Sequence, residues 1–157
     1  MFFRSPPWDS VTYWALDLEM GGLDPRRDAI LAVGMLPIRE GWVRLGEAYC
    51  TLVRPQDGAA IGADSIRAHQ LVWGEVRRAP PLAEVLPQID RRLREGVLLV
   101  HHQALDVAFL KRAYRNAEMR WPRPRIVDTV DLLIKRANRL QRGTPELPPV
   151  VPVLNLS

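Results

Sequence analysis

The feature that most constrains this chain is the tripeptide Asp17-Leu18-Glu19, which stands where an apolar segment meets a glycine turn. Residues 11–18 are rich in apolar, aromatic and β-branched side chains, and Gly21-Gly22 followed by Asp24-Pro25 ends the segment. This pattern predicts a strand and then a turn. Side chains two residues apart share one face of a strand, so the two carboxylates are expected to project together.

Two adjacent carboxylates repel each other when both are ionised, unless a proton or a cation lies between them. Hard oxygen ligands of this kind suit Mg²⁺ or Mn²⁺. The alternative is that Asp17 and Glu19 form the solvated face of a strand whose Leu16 and Leu18 point inward, since charged residues are mostly exposed. The choice between the two depends on the rest of the chain.

The length of 157 residues predicts one domain, and 47% hydrophobic with 25% charged residues is ordinary for a soluble globular protein. No apolar run approaches the twenty or so residues that cross a bilayer, and residues 1–10 lack the apolar stretch of a signal peptide. The single cysteine, Cys50, excludes an intrachain disulfide and a thiolate metal cluster. We therefore expect a cytoplasmic protein with no membrane association.

The basic residues are concentrated in the second half of the chain. The net charge is +4, and residues 111–142 contain ten basic and three acidic side chains. Such a region could bind a polyanion through its phosphates. Alternatively, these side chains are the solvated faces of arginine-rich helices.

The apolar periodicity predicts three strands in an antiparallel meander, followed by helices that alternate with short buried strands. The predicted strands are 11–18, 29–38, 42–53, 97–100 and 126–127. The predicted helices are 64–69, 71–76, a helix that Pro80-Pro81 opens and Gly96 ends, one that follows His101-His102, and one from Val130 to about Leu140; residues 143–152 read as a proline-rich linker.

This order describes an α/β fold, a mixed sheet of three antiparallel strands and then parallel strands, flanked by helices. In open sheets of this kind, ligands gather at the carboxyl ends of the strands. Asp17 and Glu19 lie at one such end, and Asp106, near the start of the helix after the fourth strand, can reach the same edge. The three carboxylates together predict a metal site.

Two motifs in this frame resemble the DnaQ-like, or DEDD, 3′-to-5′ exonucleases, the group that includes the epsilon subunit of DNA polymerase III and ribonuclease T. The first is Asp17-Leu18-Glu19 with the following Leu23-Asp24-Pro25 turn. The second is His101-His102-Gln103-Ala104-Leu105-Asp106, which is similar to a His-Asn-x-x-Phe-Asp run between a strand and a helix. The order of the later Ile126-Val127-Asp128-Thr129 segment also matches, so the resemblance covers about residues 11–157.

The resemblance implies an RNase H-like sheet and two-metal hydrolysis of phosphodiester bonds at the 3′ end of a single strand of DNA or RNA. Asp17, Glu19 and Asp106 would be the catalytic residues and the ligands of two Mg²⁺ or Mn²⁺ ions. Met20, Gly21 and His102 would contact the substrate. A DNA polymerase or a second copy of the chain is a further possible partner.

The chain departs from the family pattern at His102, where asparagine is usual, at Leu105, where phenylalanine is usual, and in its third motif. Family members continue to a histidine and, five residues later, a fourth aspartate on a last helix, and these 157 residues lack both. We therefore expect a single exonuclease-like domain without its C-terminal helix, with low activity and a tendency to self-associate. The alternative is a nucleic-acid-binding or scaffold module that keeps the fold without catalysis.

Overall fold

The computed structural model describes residues 6–56 and 71–141. Its strands are β1 (Tyr13–Met20), β2 (Ile30–Arg39), β3 (Trp42–Val43), β4 (Tyr49–Leu52), β5 (Val97–Val100) and β6 (Ile126–Asp128). Its α-helices are α1 (Trp73–Val76), α2 (Leu82–Glu95), α3 (Gln103–Asn116) and α4 (Thr129–Gln141). Two short 3₁₀ helices lie at Trp8–Ser10 and Leu45–Glu47.

Within the described ranges the strands form one six-stranded mixed sheet. The order is β3-β2-β1-β5-β6, and β4 also pairs with β2. Strand β2 is antiparallel to β1, β3 and β4, whereas β5 is parallel to both β1 and β6. This arrangement confirms the predicted α/β class, with antiparallel strands first and parallel strands after them.

The predicted third strand, 42–53, is wrong as one continuous element, because a 3₁₀ turn divides it into β3 and β4. The division lies opposite Pro37 of β2. Arg44 donates its backbone N–H to the carbonyl oxygen of Pro37 (2.9 Å), but proline has no N–H to return the second hydrogen bond of the pair. The ladder therefore breaks there, and it resumes where Met35 pairs with Tyr49.

The later elements agree with the prediction, including α2 up to Gly96, the buried strand β5, and α3, β6 and α4. The predicted helix at 71–76 is only the single turn of α1. The predicted helix at 64–69 and the proline-rich 143–152 lie outside the described residues. No helix of the described part is long and apolar enough to cross a membrane, and the cytoplasmic location stays a prediction.

The core lies between the sheet and the two long helices α2 and α3. It contains the inward side chains of the strands and one stripe from each helix, namely Trp14, Leu16, Leu18, Ile30, Val33, Met35, Leu98 and Val100 with Val85, Leu86, Ile89, Leu93, Phe109, Leu110, Ala113 and Tyr114. One buried cation joins this core: the guanidinium of Arg92 lies 5.3 Å from the ring centre of Trp14 and 4.1 Å from that of Tyr49. Contact with two aromatic faces partly compensates the lost hydration of the charge.

The entry into β5 requires a residue without a side chain. A Cβ at Gly96 would collide with the carbonyl oxygen of Thr12 and would lie 3.2 Å from Cδ1 of Trp14. The same carbonyl oxygen accepts the N–H of Val97 (2.9 Å), a hydrogen bond at the start of the parallel β1–β5 pair. The Gly96→Ala variant should therefore lower the free energy of unfolding by about 1–3 kcal/mol in urea denaturation.

Gly46→Ala is the matched control, because a Cβ there meets no atom within 4 Å. We expect its free energy of unfolding to stay within about 0.5 kcal/mol of the parent protein. Equal unfolding midpoints for the two variants would contradict the close approach of Gly96 to Thr12.

Candidate active site

The alternation of β1 separates its carboxylates from the core. Leu16 and Leu18 are buried, whereas Asp17 is exposed and Glu19 is half-buried on the other face. The two acidic residues therefore share a face of the strand, as the spacing predicted. Strand β1 extends beyond the end of β5, whose pairing with it reaches only from Tyr13 to Ala15, so both carboxylates stand at the carboxyl edge of the parallel strands.

A β-bulge lies beside this pair. Glu19 is opposite Ala32 in β2, but the next residue, Met20, is opposite Ile30, so the buried Leu31 is the extra residue of the bulged strand. Bulges bend a strand locally and change the direction of nearby side chains, and they are frequent next to active sites. This one lies in β2, directly opposite the step from Glu19 to Met20.

Asp106 reaches the same edge from the first turn of α3, which follows β5 after the two-residue connection His101-His102. Its side chain is only 8% exposed. Burial is the main cause that raises its pKa from 3.8 to about 6, and the negative charges of Asp17 and Asp128 raise it further. The fold thus brings a buried carboxyl group into the field of two others, in an environment that favours a proton or a cation.

Asp128 is the member of this group that the sequence analysis did not include among the site residues. It ends β6 and pairs in register with Val100, the last residue of β5. Its carboxylate accepts backbone N–H groups from His102 (3.1 Å), Gln103 (2.8 Å) and Val130 (3.0 Å), and these hydrogen bonds lower its pKa. The signal that could have identified Asp128 is its place at the end of a strand parallel to β1.

His101 hydrogen-bonds Thr129, the residue after Asp128. Nδ1 of its ring lies 2.7 Å from the hydroxyl of Thr129, which also lies 3.2 Å from the carbonyl oxygen of Val100. His101 is exposed at the carboxyl edge of β5.

His102 adopts a left-handed backbone conformation, with φ 70° and ψ 58°. Asparagine and histidine are among the residues that enter this region most readily outside glycine. This property gives a physical reason why histidine can replace the asparagine that the family resemblance leads one to expect here. The side chain is exposed.

The other predicted substrate contacts occupy the turn after β1. Met20 is half-buried and packs against the core, and the N–H of Gly21 donates to the carbonyl oxygen of Ala29 (2.8 Å). The structure thus places Met20 and Gly21 directly beyond Asp17 and Glu19. Their contact with a substrate remains a prediction.

The donor set fits a hard divalent cation in its chemistry. Carboxylate oxygens are the ligands that Mg²⁺ and Mn²⁺ prefer, and Asp17 lies close enough to Asp106 to raise its pKa. In their present positions, however, no three His, Cys, Asp or Glu side chains of residues 6–56 and 71–141 form a group that could hold a metal ion.

Comparison with known proteins places these residues in context. A family model described as "Exonuclease" matches residues 14–156. A Mycobacterium tuberculosis protein described as a bifunctional exonuclease/endonuclease is 33% identical over 105 residues, covering 67% of this chain and 16% of its own length. A Rhodobacter capsulatus DNA polymerase III subunit epsilon-like protein is 32% identical over 125 residues, covering 79% and 17%. The chain spans about a sixth of the length of these two curated relatives.

Among solved structures, Escherichia coli exonuclease I in complex with a dT13 oligonucleotide superposes with a TM-score of 0.74 at 16% identity. The match covers 88% of this chain and 32% of that one. At this identity the similarity concerns the fold alone, and it confirms the RNase H-like mixed sheet.

The raised pKa of Asp106 predicts how stability depends on pH in the presence of EDTA. Between pH 3.8 and about 6 the folded state binds more protons than the unfolded state, so the free energy of unfolding falls as the pH rises through this window. Asparagine does not titrate, so the Asp106→Asn variant should not lose this free energy of unfolding, which is at most about 3 kcal/mol at pH 7. Thermal melts should show a larger stabilisation by this variant at pH 7 than at pH 4.

Asp131→Asn removes an exposed carboxylate from the first turn of α4 and is the control. It should change stability equally little at both pH values. A gain from Asp106→Asn that is the same at pH 4 and pH 7 would show that the environment of Asp106 does not raise its pKa.

Proposed function

Because the chain belongs to the RNase T exonuclease family, the DnaQ-like group that its motifs indicated, we propose that it removes nucleotides from the 3′ end of single-stranded nucleic acid by metal-dependent hydrolysis. The observation that carries this proposal is the convergence of Asp17 and the buried Asp106 at the carboxyl edge of the sheet. This is the edge at which open α/β sheets bind their ligands.

Asp17, Glu19 and Asp106 would hold the divalent ions, of which the family resemblance leads us to expect two, Mg²⁺ or Mn²⁺. Such ions, when bound, lower the pKa of a water molecule and stabilise the attacking and leaving oxygens of a phosphodiester. The contribution of Asp106 is supported by its burial, because a carboxylate with little access to water gains most from a nearby cation. Without cations, the negative charges of these three carboxylates would also repel the phosphates of a substrate. Substrate binding would therefore depend on the metal.

The strand end would lie over the turn after β1 and the start of α3, beside Met20, Gly21 and His102. A DNA oligonucleotide is bound by exonuclease I, which shares the fold, and the choice between DNA and RNA for this chain is left to the assay. The epsilon-like relative favours a DNA polymerase as the partner of the whole protein. Each of these is a proposal, since the chain spans a small part of its relatives.

A second candidate function is binding without cleavage. It is favoured by the finding that the described ranges contain no ready group of three metal-binding side chains. The basic residues between 111 and 142 would then bind phosphates in a manner that depends steeply on salt and not on metal.

The test is the release of labelled nucleotides from a 3′-labelled single-stranded oligonucleotide in Mn²⁺, with DNA and RNA substrates in parallel. We expect progressive release from the 3′ end that EDTA abolishes, and no cleavage of circular single-stranded DNA. Asp17→Asn should reduce the rate at least about 100-fold, since loss of a proposed ligand should exceed the 10–100-fold effect of losing a ligand's hydrogen-bond partner.

Asp9→Asn is the control, because Asp9 is an exposed carboxylate in the 3₁₀ helix before β1. It should cleave at the rate of the parent chain. Binding of the oligonucleotide without release, unaffected by Mn²⁺ or by Asp17→Asn, would reject hydrolysis by this chain and support the binding module.

A further inference from the structure

The carboxylate of Asp128 joins the N-termini of two helices that belong to different βα units. Val130 is in its own helix, α4, whereas His102 and Gln103 begin α3, 26 and 25 residues earlier in the chain. One oxygen accepts from His102 (3.1 Å) and Val130 (3.0 Å), and the other accepts from Gln103 (2.8 Å). All three contacts are charge-assisted hydrogen bonds to backbone donors.

Helix α3 has no capping side chain of its own. The residue before it, His102, makes no side-chain cap hydrogen bond. Asp128 instead accepts the N–H of His102 and that of Gln103, the first residue of the helix, which has no acceptor within the helix. His102, whose N–H Asp128 accepts, has the left-handed backbone conformation directly before the helix. Asp128 therefore contacts the two residues at which the first turn of α3 begins.

Asp106 lies in that first turn. Asp128, the last residue of β6, pairs in register with Val100, the last residue of β5. The end of β6 therefore lies beside the connection that leads into α3. The hydroxyl of Thr129 adds two further hydrogen bonds, one with the carbonyl oxygen of Val100 and one with Nδ1 of His101. Asp128 and Thr129, at the β6–α4 junction, thus hydrogen-bond residues 100–103 at the β5–α3 junction.

We propose that Asp128 is a positioning residue of the active site, which acts by fixing the start of α3 and hence the place of Asp106 beside Asp17. This inference rests on the proposed function, because an effect of Asp128 on catalysis requires that the chain cleaves nucleic acid. The hydrogen bonds by which Asp128 joins the two helices can be measured separately. A simpler role is that Asp128 is only the N-cap of α4. The two roles predict different results for one substitution.

The Asp128→Ser variant distinguishes the positioning role from the N-cap role. Serine is as good an N-cap as aspartate, so it can still accept from the first turn of α4, but its shorter side chain cannot also reach His102 and Gln103. Asp131→Ser is the matched control, since it makes the same replacement three residues later, where the carboxylate is exposed. Three quantities are compared in the full chain: amide hydrogen exchange at Gln103, affinity for Mn²⁺ by calorimetry, and kcat and KM on the oligonucleotide.

We expect Asp128→Ser to exchange the Gln103 amide faster, while exchange of the Val130 amide changes little. Affinity for Mn²⁺ and kcat should each fall about 10–100-fold, as found when the partners of metal ligands are removed, with KM nearly unchanged. Asp131→Ser should match the parent chain in all three measurements. Asp128→Asn keeps one acceptor oxygen and should recover part of the loss.

Faster exchange at Gln103 with the Mn²⁺ affinity and kcat of the parent chain would overturn the positioning role and leave Asp128 as a helix cap. Unchanged exchange at Gln103 would overturn the bridge itself. A parent chain that binds Mn²⁺ but cleaves nothing would reject the proposed function alone, because the effect of Asp128→Ser on Mn²⁺ affinity still decides the positioning role. A parent chain without Mn²⁺ affinity would overturn both.

Discussion

The parallel pairing of β1 with β5 is the constraint on which the candidate site depends. It aligns Tyr13 with Val97 and so makes β5 end beside the middle of β1, leaving Asp17 and Glu19 beyond the last shared residue. Because β6 is parallel to β5 in turn, the carboxyl ends of three strands open on one edge. The close approach of Gly96 to Thr12 allows this pairing to begin at the correct register.

The site is assembled at the expense of stability. Asp106 is buried near Asp17 and Asp128, and its raised pKa shows that its charged form is disfavoured in the protein. The hydrophobic contacts of α3 beneath it hold the helix in place, with Phe109 and Leu110 fully within the core. A carboxyl group whose pKa is raised by burial and by neighbouring carboxylates is a feature found more often at functional sites than in the rest of a fold.

The secondary structure could be predicted to a large extent because apolar periodicity reports burial directly. Strands β1, β2, β5 and β6 and helices α2, α3 and α4 follow the pattern of inward-facing residues. The continuous third strand was wrong, because its failure depends on the missing N–H of Pro37 in the neighbouring strand and not on its own residues. The hydrogen bonds of Asp128 to the start of α3 could not be predicted for a similar reason, because they join residues 25 and 26 positions apart in the chain.

The sequence by itself determined the family and the α/β class, and it indicated Asp17, Glu19 and Asp106 as candidate site residues, because each of these depends on side-chain type at short spacing. The tertiary structure alone decided which carboxylates interact, how deeply Asp106 is buried and which residues contact the start of α3. These properties arise from the parallel alignment of strands that are far apart in the chain. Neither their distances nor their electrostatic coupling has a signature in local spacing.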